Sequence, residues 1–236
     1  MWGDDYCPIE FKRNDGAFDG VSIGLNLLKS TKGTFAIGYG NKVYGDFSTA
    51  LGINCEISGV GSHAEGNKNT TSGNFSHAEG NKTTASGMAS HVEGRETTAS
   101  GNASHAEGYK TTTSGNSSHA EGQRCIANGH LSHSGGNLSE ANGRASFAHG
   151  NFVKAICPSQ FVVGYGNDPQ EDSIFEIGNG LDVNGQPANT GNTEPATRQN
   201  AFRVTQSGVA VVKTGLQIGN TIINEEQLQK ILALIN

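Results

Sequence analysis

The sequence predicts an all-β chain coiled into a parallel β-roll, and three observations carry that expectation. Glycine recurs every fourteen residues, at Gly24, Gly38, Gly52, Gly66, Gly80, Gly94, Gly108, Gly122, Gly136, Gly150, Gly164 and Gly178. The best-ordered copies repeat the word Ser-His-Ala-Glu-Gly, ending at Gly66, Gly80, Gly108 and Gly122, with Val92 replacing alanine in the copy that ends at Gly94. Apolar residues are 34% and aromatic residues 7% of the 236-residue chain, below the roughly 45–50% apolar share of ordinary globular domains. A fixed period with so little core-forming side chain is the signature of a solenoid, in which each coil is stabilised by its neighbours.

Each repeat divides into two extended segments and two corners. In the copy from Asn81 to Gly94, Thr83 to Ser86 forms one short strand and Ser90 to Glu93 the other. Gly87 and Gly94 stand at the corners, where a positive φ or close backbone approach excludes a side chain. Side chains alternate between faces along a strand, so Thr83, Ala85, Ser90 and Val92 point one way and Thr84, Ser86, His91 and Glu93 the other. The first set is small in nearly every copy. The fourth position before the glycine reads Ser48, Ser62, Ser76, Ser90, Ser104, Ser118, Ser132, Ser146, and the second reads Ala36, Ala50, Ala64, Ala78, Val92, Ala106, Ala120, Ser134, Ala148. Such filling fits a very narrow coil, and at about 4.8 Å per rung the stack is a rod about 53 Å long.

Composition excludes several function classes. A net charge of −6 argues against a nucleic-acid binder, which carries a basic stripe. No apolar run approaches the roughly 18 residues of a membrane span, and the start lacks the basic and apolar regions of a secretory signal. Cys7, Cys55, Cys125 and Cys157 show no metal-type spacing. Cys55 and Cys125 share the column of Thr83, Thr97, Thr111 and Ser139, and Cys157 replaces a corner glycine, so they read as small buried side chains. Free thiols favour assembly in a reducing compartment.

The pattern Gly-x-x-Thr-x-Ala-x-Gly-x-x-Ser-x-Ala-x, spanning residues 20–178, resembles the head repeat of YadA-like trimeric autotransporter adhesins. The resemblance implies a left-handed parallel β-roll that forms a homotrimer, with the residues either side of the alanine on the trimer axis. Those positions include Phe35, Ile37 and Leu51 near one end and Phe147, Phe161 and Val163 near the other, with Val21, Ile23, Thr49, His149, Phe175 and Ile177 in the same columns. Between them the family's aliphatic residues give way to His63 and Glu65, His77 and Glu79, His91 and Glu93, His105 and Glu107, His119 and Glu121, then His133 and Gly135. Three readings of this ladder stand open. It is a hydrogen-bonded polar interior that fixes the trimer's register, or a transition-metal site where His63, His77, His91, His105, His119 or His133 of three chains converge on the threefold axis, or a solvated outer surface. The axial readings imply a trimer sensitive to acid or to a chelator.

No catalytic residue is expected. Ser76 and His77 are adjacent in a strand and face opposite ways, so they cannot act as nucleophile and base. The chain has no nucleophile elbow, phosphate loop or HExxH motif.

The flanks describe the mounting. Residues 1–19, with Trp2, Tyr6, Ile9, Phe11 and Phe18, read as a cap or junction. In the 179–223 module, residues 184–200 read as an exposed loop, and residues 201–204 with 209–212 as a β-hairpin. Residues 216–223 read as a second hairpin. Residues 224–236 read as a short helix, with Asn224 as N-cap, Gln227 as its capping-box partner and a stripe of Leu228, Ile231, Leu232 and Ile235, a possible coiled-coil start. This tail lacks the long stalk and membrane anchor of the adhesins. Its Asn-Ala-Phe-Arg-Val stretch, followed by Leu-Gln-Ile-Gly-Asn-Thr and the helix, resembles tail-fibre or appendage proteins of phages and prophages. That implies a virion appendage assembled in the cytoplasm, holding other tail proteins and a bacterial surface receptor or glycan as partners. The alternatives are the head of a cell-surface adhesin that binds host matrix or cells, and a structural spacer.

Overall fold

The computed structural model describes residues 9–14, 17–25, 27–29, 32–181, 195–213, 216–218, 221–223, 226, 227, 229, 230 and 233. The chain is a parallel β-solenoid with one coil every fourteen residues. A fifteen-stranded front sheet and a ten-stranded back sheet lie on either side of the coil. In the front sheet, His63–Asn67 pairs in parallel with His77–Asn81, and His77 and Ala78 with His91 and Val92. In the back sheet, Thr84 and Ala85 pair with Thr98 and Ala99. The register is therefore one repeat per rung, with like stacked on like. Back-sheet strands are two residues long, as at Thr84–Ala85, where four-residue segments are expected. The corners curve away from extended geometry immediately outside each pair.

Both corner glycines are required, for different reasons. Gly94 has φ +99°, and a Cβ there would lie 2.2 Å from the Gly108 carbonyl oxygen. Gly87 has an ordinary φ, but a Cβ there would lie 2.0 Å from the Gly101 oxygen. Two residues beyond the corner glycine the chain takes the left-handed conformation, in most rungs at a non-glycine residue, as at Ala89 (φ 54°) and Glu96 (φ 56°). That geometry costs a bulky residue free energy, and here it is offset by a rung-to-rung bond: Ala89 N–H donates to Asn74 O (2.8 Å) and Glu96 N–H to Asn81 O (2.9 Å). Periodicity alone gave no warning of this second kind of corner residue.

The core is as thin as the small columns require. Ala64, Ala78, Val92, Ala106 and Ala120 are fully buried, as are Ala85 and Ala99 opposite them. The column serines are buried too, and those from Ser48 to Ser118 each satisfy a corner carbonyl: Ser90 Oγ donates to Gly87 O at 2.7 Å and Ser104 Oγ to Gly101 O at 2.7 Å. The column containing Cys55 and Cys125 is also fully buried. There Thr97 and Thr111 donate to the Glu93 and Glu107 carbonyls, and Asn41 uses its amide to bridge Ile37 O, Gly52 O and Cys55 N–H. Cys55, Cys125 and Cys157 are buried free thiols; burial pushes the thiols of Cys55 and Cys125 up.

Both ends of the front sheet are covered. Ile9–Asn14 pairs antiparallel with Ala17–Leu25 at the first rung. At the other end Asn200–Thr205 pairs antiparallel with Ser173–Asn179, and Ala210–Val212 continues that hairpin. Leu216–Ile218 and Thr221–Ile223 form the second hairpin. Glu226, Gln227, Gln229, Lys230 and Ala233 are helical and exposed. Residues 184–194 of the expected loop, Cys7, Trp2, Tyr6, Asn224 and the stripe Leu228, Ile231, Leu232 and Ile235 lie outside the described residues. Among the described residues no helix is long and apolar enough to cross a membrane.

Candidate functional site: the histidine–glutamate ladder

Parallel in-register pairing turns one repeated word into a line of chemistry. His63, His77, His91, His105, His119 and His133 lie on the outer face of the front sheet of a single chain, opposite the alanine column, and are half-buried by one another. Their rings follow at 4.7–4.9 Å, the strand spacing, and those of His77, His91, His105 and His119 are nearly parallel. The stack continues into Phe147, Phe161 and Phe175, and Phe202 of the hairpin closes it edge-on.

The glutamates form a second line beside the first, displaced so that a carboxylate reaches the histidine of the next rung. His119 Nε2 lies 3.4 Å from Glu107, His105 Nε2 3.9 Å from Glu93, and His133 Nε2 3.4 Å from Glu121. Glu121 also faces His149 Nδ1 at 3.8 Å. His63 instead meets Glu65 of its own rung at 3.4 Å. Glycines 66, 80 and 94 line a shallow open groove along Glu65, Glu79 and Glu93, with Leu51 at its end.

Stacked carboxylates cannot all hold charge, and their proton affinities separate. Glu79, hydrogen-bonded to Glu93 and Glu65, is pushed up to about 7, whereas sharing that proton lowers Glu65 and Glu93. Glu107 is raised, chiefly by Glu93. His77, His105 and His133 are lowered, first by burial and then by neighbouring imidazoles. At neutral pH His77, His105 and His133 are thus held neutral, beside carboxylates from Glu65 to Glu107 that alternate in proton affinity.

No family model matches this chain, and no curated protein matches its sequence.

At the ends of the ladder the same outer face carries Phe35, Ile37 and Leu51 at one side and Phe147, Phe161, Val163, Phe175 and Ile177 at the other, all at least partly exposed. The outer face of the back sheet differs in kind. It carries Thr70, Thr84, Thr98 and Thr112, with ion pairs Lys42–Glu56 (3.6 Å) and Lys154–Glu140 (2.8 Å) near its ends.

Sequence reading missed one polar centre. Glu176 occupies the alanine column of the last rung and is fully buried. Its Oε1 accepts from Gln160 Nε2 and Gln170 N–H, each at 3.0 Å, and its Oε2 from Asn167 Nδ2. Gln160 and Asn167, themselves fully buried, replace the serine and threonine of earlier rungs. The signal was present: Glu176 is the one charged residue in a column that is otherwise alanine, valine or serine. This centre plugs the open end of the coil, where Arg203 joins Asp172 at 2.6 Å.

Proposed function

We propose that this chain is the roll segment of a homotrimeric attachment fibre, of the phage or prophage tail-fibre type, in which the front-sheet faces of three copies pack around a common axis. The observation that carries the reading is the contrast between the two outer faces. The front sheet presents stacked phenylalanines, aliphatic residues and half-buried imidazoles, while the back sheet presents threonine and ion pairs suited to water. Apolar patches at both ends of one face, joined by half-buried imidazoles, mark an interaction surface, and a second and third copy of the same face would cover them in register. A parallel roll with its ends capped suits a rigid shaft, and the non-repeating C-terminal hairpins suit recognition or mounting, since irregular segments carry binding more often than a uniform lattice does. Assembly in a reducing cytoplasm agrees with the buried free thiols.

Native mass spectrometry of the full chain tests the assembly: a trimer is expected, and a monomer at micromolar concentration overturns it. Pull-down on bacterial envelopes tests attachment, against host matrix proteins as the comparison. Retention by matrix and not by envelopes would favour a cell-surface adhesin head.

A further inference from the structure

The ladder places two kinds of metal donor at one spacing. His91 has Glu79 and Glu93 about it, His105 has Glu93 and Glu107, and His119 has Glu107 and Glu121; the donor atoms within each set lie within 4.8 Å of one another. The imidazole-to-carboxylate distances of 3.4 and 3.9 Å at His119 and His105 are longer than normal hydrogen bonds. The Nε2 atoms of His63, His77, His91, His105 and His119 are shielded from solvent and have no hydrogen-bond partner. A buried polar atom left in that state is costly and calls for an explanation. The register adds a second cost. Glu65 pairs directly with Glu79, and like charges directly opposite each other on adjacent strands destabilise a sheet.

A cation between rungs answers both. We infer that the ladder is a rail for divalent transition-metal ions, each held within one protomer by imidazole and carboxylate donors of two successive rungs. Imidazole with carboxylate is a donor set suited to zinc and related first-row ions. The sets centred on His91 and His119 have no ligand in common and sit two rungs apart, about 9.6 Å at ordinary strand spacing. The set centred on His105 borrows Glu93 and Glu107 from those two, whereas His63, Glu65 and His77 form a further set that shares no ligand with either, so the ladder fills with about three ions per chain. Each set is complete in one protomer, so the inference is independent of the trimer: three imidazoles meeting on a threefold axis are not needed.

The test uses the full chain stripped with EDTA and dialysed. Zn2+ is titrated by calorimetry and Co2+ by visible absorption. About three ions per chain with micromolar or tighter affinity are expected, with Co2+ bands of nitrogen–oxygen coordination. Two triple variants, Glu65→Gln with Glu93→Gln and Glu121→Gln, which breaks every set, and His91→Ala with His105→Ala and His119→Ala, which breaks the three interior sets, should each reduce Zn2+ binding, the first about tenfold or more and the second by loss of the interior ions. Their circular dichroism should be unchanged, because these side chains lie outside the core. His130→Ala, an exposed histidine off the ladder, should bind as the parent does. Millimolar or weaker binding by the parent chain, or undiminished binding by both triple variants, overturns the inference.

Discussion

His105 and His119 stack with ring centroids 4.9 Å apart and planes within 2° of parallel. The backbone dictates that contact, since the pairing register sets every fourteenth residue directly over the last. Phe147 and Phe161 meet in the same way at 4.7 Å, farther along the same column. An aromatic ring of either kind therefore fits this position. His105→Phe is expected to leave thermal stability within about 1 °C of the parent. His105→Asp places a carboxylate beside Glu93 and Glu107, and like-charge pairing of roughly 0.2–1 kcal/mol per neighbour should lower Tm by about 1–8 °C. Circular dichroism melts in the presence of EDTA check both.

The corner glycines give a sharper contrast. Gly101 has an ordinary φ, so alanine there meets no backbone strain, yet its Cβ would lie 2.0 Å from the Gly115 carbonyl oxygen. The neighbouring coil must shift, and because each rung bears on the next the shift cannot relax locally. Gly208 has φ +82° with nothing within 4 Å, so alanine there incurs only the left-handed penalty of roughly 1–2 kcal/mol. Gly101→Ala should destabilise by more than about 3 kcal/mol and Gly208→Ala by about 1 kcal/mol. Equal effects in denaturant melts would contradict the stacking account.

The thiols report on the same tightness. Cys55 and Cys125 are fully buried, and burial raises their proton affinity, so little reactive thiolate is present at neutral pH. In a Cys7→Ser chain, a thiol reagent at pH 8 should modify native Cys55 and Cys125 at least about a hundredfold more slowly than after unfolding in guanidinium. Rapid labelling of the native protein would show that the coil opens locally.

Much of the fold was legible because a solenoid repeats its evidence. One serine or one alanine means little, but the same small residue in the same column many times over states that the interior is narrow, and Ala64 and Ala78 are indeed fully buried. Corner glycines were legible for the same reason. What stayed hidden is what a single-chain period does not encode. Left-handed residues such as Ala89 and Glu96 vary in identity, because their role is carried by the backbone N–H. The offset that brings Glu107 to His119 rather than to His105 depends on side-chain rotamers. Glu176 lay where the period ends, and an average over repeats passes over the exception.

The proposed assembly rests on the apolar ends of the front face. Phe161 is 40% exposed and Ile177 36%, and Phe161 stacks between Phe147 and Phe175 without entering the core. Phe161→Glu should therefore leave the roll folded while setting three carboxylates against one another if the faces meet on an axis. Native mass spectrometry should show dissociation of the Phe161→Glu trimer, whereas Thr98→Glu on the back face should leave it intact. Loss of the trimer in both, or in neither, would place the contact elsewhere.

Glu176 links the end of the coil to pH. Burial raises its carboxyl above the ordinary 4.5, although the amides of Asn167 and Gln170 pull the other way. A carboxyl whose folded value is raised favours the folded state when protonated. Its contribution is therefore full below the unfolded value and is lost as pH rises through the folded one. Stability of the parent should fall from about pH 4.5 upward relative to a Glu176→Gln chain, which cannot ionise. The glutamine turns an NH2 toward Asn167 and obliges that amide, which also accepts the Lys154 N–H, to rearrange, so the variant carries a constant penalty of about 1–3 kcal/mol. The discriminating quantity is the slope of the difference in Tm between the two chains against pH. A difference that does not change between pH 4 and 8 would mean that Glu176 holds its ordinary proton affinity, with the three donors outweighing burial.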